Sequence, residues 1–252
     1  MTVTRALDGA IGRLTLDHPP VNILTRDVLA RFRAGLAALA VEPGLRVLLL
    51  SAAGKHFSAG ADVREHLPPE HTGLIPEFMD TIAALDAFPL PVIAAVQGRC
   101  LGGGFELVQA ADIIVAGDGA VFGQPEILLG VIPPAACALL PTRVGRGVAA
   151  ELVYGGDPLT AAEAARVGLV RRVVPDDQLA QATLAVAGRI ARHSAATLRL
   201  AKRALRGGEA EASAAGLRER GELYLHSVMT TQDALEGLLA FVEKRSPAWA
   251  DR

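Results

Sequence analysis

Along the N-terminal half of the chain the spacing of apolar residues changes period repeatedly, and each change predicts an element. Ile11-Gly-Arg-Leu-Thr-Leu16 alternates apolar and polar positions like a half-buried strand, and Pro19-Pro-Val-Asn-Ile-Leu-Thr25 supplies a loop ending on a candidate helix N-cap. Val28, Leu29, Phe32, Leu36 and Leu39 then recur at helical spacing until Glu42-Pro-Gly44 stops them. Val47-Leu-Leu-Leu-Ser51 is a short apolar run suited to a central strand. A loop over Gly54–Asp62 and a proline-broken stretch lead to a helix over about 75–88 and a strand at Val92–Val96. Glycines at 98–104, the helical run Phe105–Ala111 and the strand Ile113–Ala116 continue the alternation. From about Pro133 onward one strand run, at 169–174, stands among helical segments at 160–167, 177–192, 195–206 and 209–243, with Gly207-Gly208 as a hinge. The order predicts an α/β fold with a helical C-terminal region.

With 252 residues the chain can bury a sizeable core without disulfides or metals. Its 51% hydrophobic and 21% charged content is that of a globular protein rather than a disordered one. Twenty-five Lys and Arg against 27 Asp and Glu leave a net charge of −2, so no general basic field draws it to nucleic acid or an acidic membrane. Cys100 and Cys137 form no C-x-x-C pair, which argues against a disulfide framework or a cysteine zinc site and fits a reducing compartment. The N-terminus lacks the apolar core of a signal peptide and the apolar stretches are broken well short of a membrane span, so a cytoplasmic protein is expected. The mean hydropathy of +0.33, reached through Ala, Leu and Val, fits helices packed on small side chains and buried subunit interfaces.

Two segments carry candidate chemistry. Ser58-Ala-Gly-Ala-Asp62 follows a predicted central strand, where small residues let a ligand approach bare backbone N–H groups. Gly102-Gly-Gly104 joins a strand to a helix, a junction that points N–H groups and a positive dipole end into a cleft. Either alone reads as a tight turn; together they outline an oxyanion site. Glu106 opens the helix after the glycines among Phe105, Leu107 and Val108, an environment that desolvates a carboxylate and raises its pKa. Glu126 is the lone ionisable residue of the apolar, Pro- and Gly-rich stretch Phe122–Pro134. The two acids, carried by different elements, can meet across a cleft.

Ser58-Ala-Gly-Ala-Asp62, Gly102-Gly-Gly-Phe-Glu-Leu107, Asp112-Ile-Ile-Val-Ala116 and Phe122-Gly-Gln-Pro-Glu-Ile-Leu-Leu-Gly130 resemble the enoyl-CoA hydratase/isomerase (crotonase) superfamily. The likeness runs on through Leu159–Val170 to Phe241–Pro247 and so covers essentially the whole chain. It implies a spiral of ββα units over residues 1–195, carrying the site, and a helical C-terminal trimerisation region over 196–252, in a homotrimer or dimer of trimers. The resemblance makes Ala61 and Gly103 N–H the oxyanion hole for a thioester carbonyl. It makes Glu106 the base that activates water for the β-carbon and Glu126 the group that exchanges the proton at the α-carbon. The implied activity is that of a hydro-lyase acting on an acyl-CoA, with no organic cofactor because coenzyme A is part of the substrate. Isomerases of the superfamily commonly keep one of the two acids. A double-bond isomerase and a silent CoA-binding or scaffold member are the rival readings.

One departure stands out. Where relatives often carry Gly-Ala-Gly-Gly-Thr this chain reads Pro134-Ala-Ala-Cys-Ala-Leu-Leu-Pro141, and Pro134 has no N–H to help hold a water. This stretch is more loosely similar to the cyclic dienoyl-CoA hydratases of anaerobic aromatic degradation. For the phosphates of CoA, Lys202, Arg203, Lys244 and Arg245 are candidates, Lys244 first. The resemblance places the loop backbone near His56 to Ala61 against adenine and pantetheine, with His56, Phe57, Ala59, Ala61 and Asp62 as the CoA-binding residues. The loop Glu65–His71 is expected to border the acyl pocket, mobile and specificity-setting. His56, His66 and His71 read as solvated loop histidines and no metal is expected; Ser58 lies outside a G-x-S-x-G elbow; and Cys137 reads as a small buried thiol.

Overall fold

The computed structural model describes residues 2–252. Its elements follow in the order β1 (Val3–Asp8), β2 (Ile11–Leu16), α1 (Arg26–Ala40), β3 (Val47–Ala52), α2 (His71–Asp86), β4 (Val92–Val96), β5 (Arg99–Leu101) and α3 (Gly103–Gln109). They continue with β6 (Ile113–Gly117), β7 (Val121–Gly123), α4 (Pro134–Val144), α5 (Arg146–Gly155), β8 (Leu159–Thr160), α6 (Ala161–Arg166) and β9 (Arg172–Val174). Four helices close the chain: α7 (Leu179–Ala191), α8 (Ala195–Arg206), α9 (Glu209–His226) and α10 (Gln232–Glu243).

A six-stranded sheet has the order β1-β2-β3-β4-β6-β9, antiparallel between β1 and β2 and parallel thereafter. A smaller sheet, β5-β7-β8, stands beside it. The chain winds from one to the other: β4 leads into β5 and β6 into β7, and Ser58, soon after β3, bridges to Cys100 on β5. Repeated strand, short strand and helix give the ββα spiral of the crotonase fold.

The unbroken apolar run of β3 follows from burial on both faces. Leu48 and Leu50 enter the main core, whereas Val47 and Leu49, with Ile93 and Val115, meet Leu179, Val186 and Ala187 of α7 on the other side. Helix α1 forms as its pattern dictates. Thr25 Oγ1 accepts from Val28 N at 3.3 Å, and Val28, Leu29, Phe32, Leu36 and Leu39 are the buried face.

The structure adds elements that the pattern left out. β1 is an edge strand whose residues are almost all exposed, so its burial carries no alternation. β5, β7 and β8 have three, three and two residues, too few to show a period. The helix expected over 209–243 is broken at Ser227–Thr231, where Thr231 Oγ1 accepts from Ala234 N at 3.1 Å and starts α10. The C-terminal helices lie on the spiral: α9 packs on α2 and α4, and α10 on the short 3-10 turns Val63–His66 and Pro125–Leu129. Among the described residues no helix is long and apolar enough to cross a membrane.

Candidate active site

The loop after β3 is braced from behind. Asn22 Nδ2 donates to Ala53 O and His56 O, both at 2.9 Å, and the buried Ser58 Oγ donates to Asn22 O at 2.7 Å while accepting from Gly60 N at 3.1 Å. The Ser58 proton is therefore committed to the backbone, consistent with a structural rather than nucleophilic hydroxyl. Gly60 at φ +107 and Gly102 at φ +51 adopt backbone conformations that side chains disfavour, and each precedes one of the two candidate donors.

Those donors lie close together. A Cβ built on Gly103 would lie 3.2 Å from Ala61 N, and one on Gly60 would lie 3.6 Å from Gly103 N. Among the hydrogen bonds of the described residues neither N–H has an acceptor. Gly103 is also the first residue of α3, so the partial positive charge of the helix end adds to the pair. Two neighbouring N–H groups without acceptors can receive a developing oxyanion.

Glu106, one turn further into α3, is 2% exposed. Its Oε1 accepts from Ala135 N at 2.7 Å and Ala136 N at 2.9 Å. Pro134 is the first residue of α4, where an N–H is not needed by the helix itself, and the next two N–H groups hold the carboxylate. Burial pushes Glu106 up to about 7, against the lowering effect of those two donors. Glu126, half-buried in the turn Pro125–Leu129, is raised well above the ordinary carboxylate range by loss of solvent first and by the charge of Glu106 second. Glu106, held by two backbone donors, is the member of the pair better placed to carry the charge, and Glu126 the member better placed to carry the proton.

A proton held more tightly in the folded chain than in the unfolded one stabilises the fold below the ordinary carboxylate value of 4.5, and that stability drains away as pH rises through about 7. Glu106→Gln keeps an acceptor for Ala135 and Ala136 but has no charge to bury. It is expected to raise the melting temperature at pH 8 clearly more than at pH 5. Equal shifts at both pH values in thermal melts would contradict the desolvation described here.

Two buried glutamines, Gln109 and Gln124, position Glu126. With its amide nitrogen turned to the carboxylate, Gln124 donates to Glu126 Oε2 and Oε1 at 3.1 and 3.3 Å, and its oxygen accepts from Gln109 Nε2 at 2.8 Å. Gln109 lies three residues after Glu106 on α3, so one helix carries one acid and braces the other. The only sequence signal was two amides in otherwise apolar runs.

A cavity of about 310 Å³ gathers Ala59, Ala61, Gly103, Glu106 and Glu126. Leu74, Ile75 and Phe78 of α2 and Leu238 and Phe241 of α10 give it apolar walls. Other expected contacts lie elsewhere. The Phe57 ring is wholly buried in the core, leaving only its backbone for a ligand. His56, whose Nδ1 accepts from Arg99 N at 3.1 Å, borders a separate depression with Lys55 and Arg99. Asp62 caps the turn Val63–His66 through its Oδ1. Lys244 is exposed at the left-handed end of α10 and does not line the cavity; its neighbour Arg245 does, held by Glu236 and Glu243.

Two expectations need correcting. Lys202 is buried, with Nζ 2.7 Å from Asp112 Oδ2 and 3.1 Å from Leu90 O, so its charge is spent on the fold. His66 is not a solvated histidine: it lines the cavity, with Nδ1 2.8 Å from Asp62 O. Cys137 is half-buried, its thiol pushed up to about 11 by burial and then by Glu106. Among the described residues no three His, Cys, Asp or Glu side chains cluster as a metal would require.

The spiral, the paired N–H groups and the facing carboxylates define a crotonase-fold hydro-lyase of CoA thioesters. The sequence profile of the enoyl-CoA hydratase/isomerase family matches residues 7–252, and the chain belongs to that family. It is 40% identical over 245 residues to cyclohexa-1,5-dienecarbonyl-CoA hydratase of Thauera aromatica, covering 97% of this chain and 95% of that one. It is 36% identical over 242 residues to 2,3-dehydroadipyl-CoA hydratase of Escherichia coli K12, covering 95% and 94%. Among solved structures it is similar to an enoyl-CoA hydratase/isomerase from Pseudoalteromonas atlantica T6c, with a TM-score of 0.90, 29% identity and coverage of 99% and 100%.

Proposed function

We propose that this enzyme adds water across the α,β double bond of an enoyl-CoA, or removes it, using Glu106 and Glu126 against an Ala61/Gly103 oxyanion hole. The observation that carries the reading is the meeting of two desolvated carboxylates with two unpaired backbone N–H groups in one cavity. The thioester oxygen sits on the two N–H groups. Ionised Glu106 takes a proton from water as its oxygen bonds to the β-carbon, and the π electrons move to the thioester oxygen. As the enolate collapses, Glu126 delivers its proton to the α-carbon. The net reaction is gain of one water, with one proton accepted and one given up, so coenzyme A within the substrate is the only CoA chemistry required and no organic cofactor takes part.

For the acyl group we favour a cyclic dienoyl-CoA, of the kind met in aromatic degradation. The 40% identity to the Thauera aromatica hydratase supports it, as does Pro134 on the cavity wall, which removes a donor and adds a rigid apolar surface. The same reading makes 196–252 the region through which copies assemble as a trimer or dimer of trimers, a role consistent with the exposed Leu200 and Leu205 of α8.

The test is incubation with straight-chain, branched and cyclic unsaturated CoA thioesters, followed by product mass and double-bond position. Gain of one water, fastest with the cyclic diene, is expected. A shifted double bond without mass change would mean an isomerase, and binding without reaction a silent member.

A further inference from the structure

Besides Arg245, the cavity wall carries one polar side chain that the hydration chemistry does not use. His66 ends the short turn after Asp62, and its Nδ1 lies 2.8 Å from Asp62 O, an atom that can only accept. The Nδ1 position therefore carries the ring proton, and in the neutral ring Nε2 is a bare acceptor. Burial lowers the His66 pKa, which keeps the ring neutral. Nε2 has no hydrogen-bond partner among the described residues, and the cavity that His66 lines has Leu74, Ile75 and Leu238 among its apolar walls.

The ring is also fixed in direction. Tyr224 of α9, 1% exposed, meets it edge-on with centroids 6.1 Å apart, and the Tyr224 hydroxyl is itself buried without a partner. A tautomer locked from one side and a plane locked from another leave an acceptor of defined position in an apolar pocket. Left empty of a donor, such a group costs binding energy; given one, it selects for it.

We propose that His66 Nε2, buttressed by Tyr224, is a specificity-determining acceptor for a hydroxyl carried by the acyl group at a carbon beyond the α,β bond. The inference deepens the acyl-CoA reading and rests on it, but it concerns recognition rather than chemistry. His66 lines the same cavity as Glu106 and Glu126 but has no hydrogen bond to either.

Binding of unreactive saturated thioesters separates the two. Calorimetry would compare ring-hydroxylated with plain cyclohexanecarbonyl-CoA, and ω-hydroxylated with plain hexanoyl-CoA. The expected result is a preference for at least one hydroxylated member over its plain partner by roughly 10- to 100-fold. His66→Leu, which continues the apolar wall, should abolish that preference while plain thioesters bind as well or better. His66→Gln, whose side-chain oxygen can accept, should restore part of it. Equal binding of both members of each pair to the parent, or a preference unchanged in His66→Leu, overturns the proposal. Loss of hydration with the preference intact would instead count against the catalytic reading alone.

Discussion

Glu106→Gln is expected to lower the hydration rate by about 10²- to 10⁴-fold while the protein stays folded and still binds acyl-CoA. The amide oxygen can accept from Ala135 N and Ala136 N as the carboxylate does at 2.7 and 2.9 Å, so the side chain keeps its place. What disappears is a base near neutrality, poised there by burial. Glu126→Gln removes the proton donor to the α-carbon and should cost a similar factor. The double variant should be little worse than either single one, since both act in one transition state. Steady-state rates of the two single variants decide the matter; either within about tenfold of the parent would remove that residue from the mechanism.

Gly103→Ala is expected to cost roughly 100- to 1,000-fold in kcat/KM, the usual scale for loss of an oxyanion-hole donor. The added methyl would stand 3.2 Å from Ala61 N and 3.0 Å from Phe78 Cε2, in the space a thioester oxygen needs. The fold should survive, at some cost in stability as Phe78 shifts to admit the methyl, because Gly103 begins α3 without a positive φ. Ala61→Gly serves as the control. It keeps the N–H and removes only a methyl, so near-parent activity is expected. Full activity in Gly103→Ala, or a large loss in Ala61→Gly with the fold intact, would contradict a backbone oxyanion hole here.

The parts of the fold legible in the sequence are those where one surface decides the residue types. The run Val47–Leu50 announces a strand buried on both faces, and the five apolar positions of α1 announce its buried stripe. The glycines at 60, 102 and 103 and the isolated acids at 106 and 126 mark the site because their chemistry is unusual for their surroundings. Other features depend on contacts that no local pattern encodes. His66 looks like a loop residue until the turn Val63–His66 brings Nδ1 back to Asp62 O and α9 brings Tyr224 against its ring. Lys202 reads as a surface charge because Asp112, its partner, is 90 positions away. Gln109 and Gln124 become a brace for Glu126 only when α3 and β7 are adjacent. The small sheet leaves no readable pattern because its strands, of three, three and two residues, are too short for alternation to repeat.

In the proposed mechanism Glu106 and Glu126, which line one cavity, act from the same face of the double bond. Hydration of an accepted enoyl-CoA in D2O, followed by NMR of the product, tests this directly. One deuterium at the α-carbon, syn to the new β-hydroxyl, is expected. Anti addition, or a product with no deuterium at the α-carbon, would contradict it.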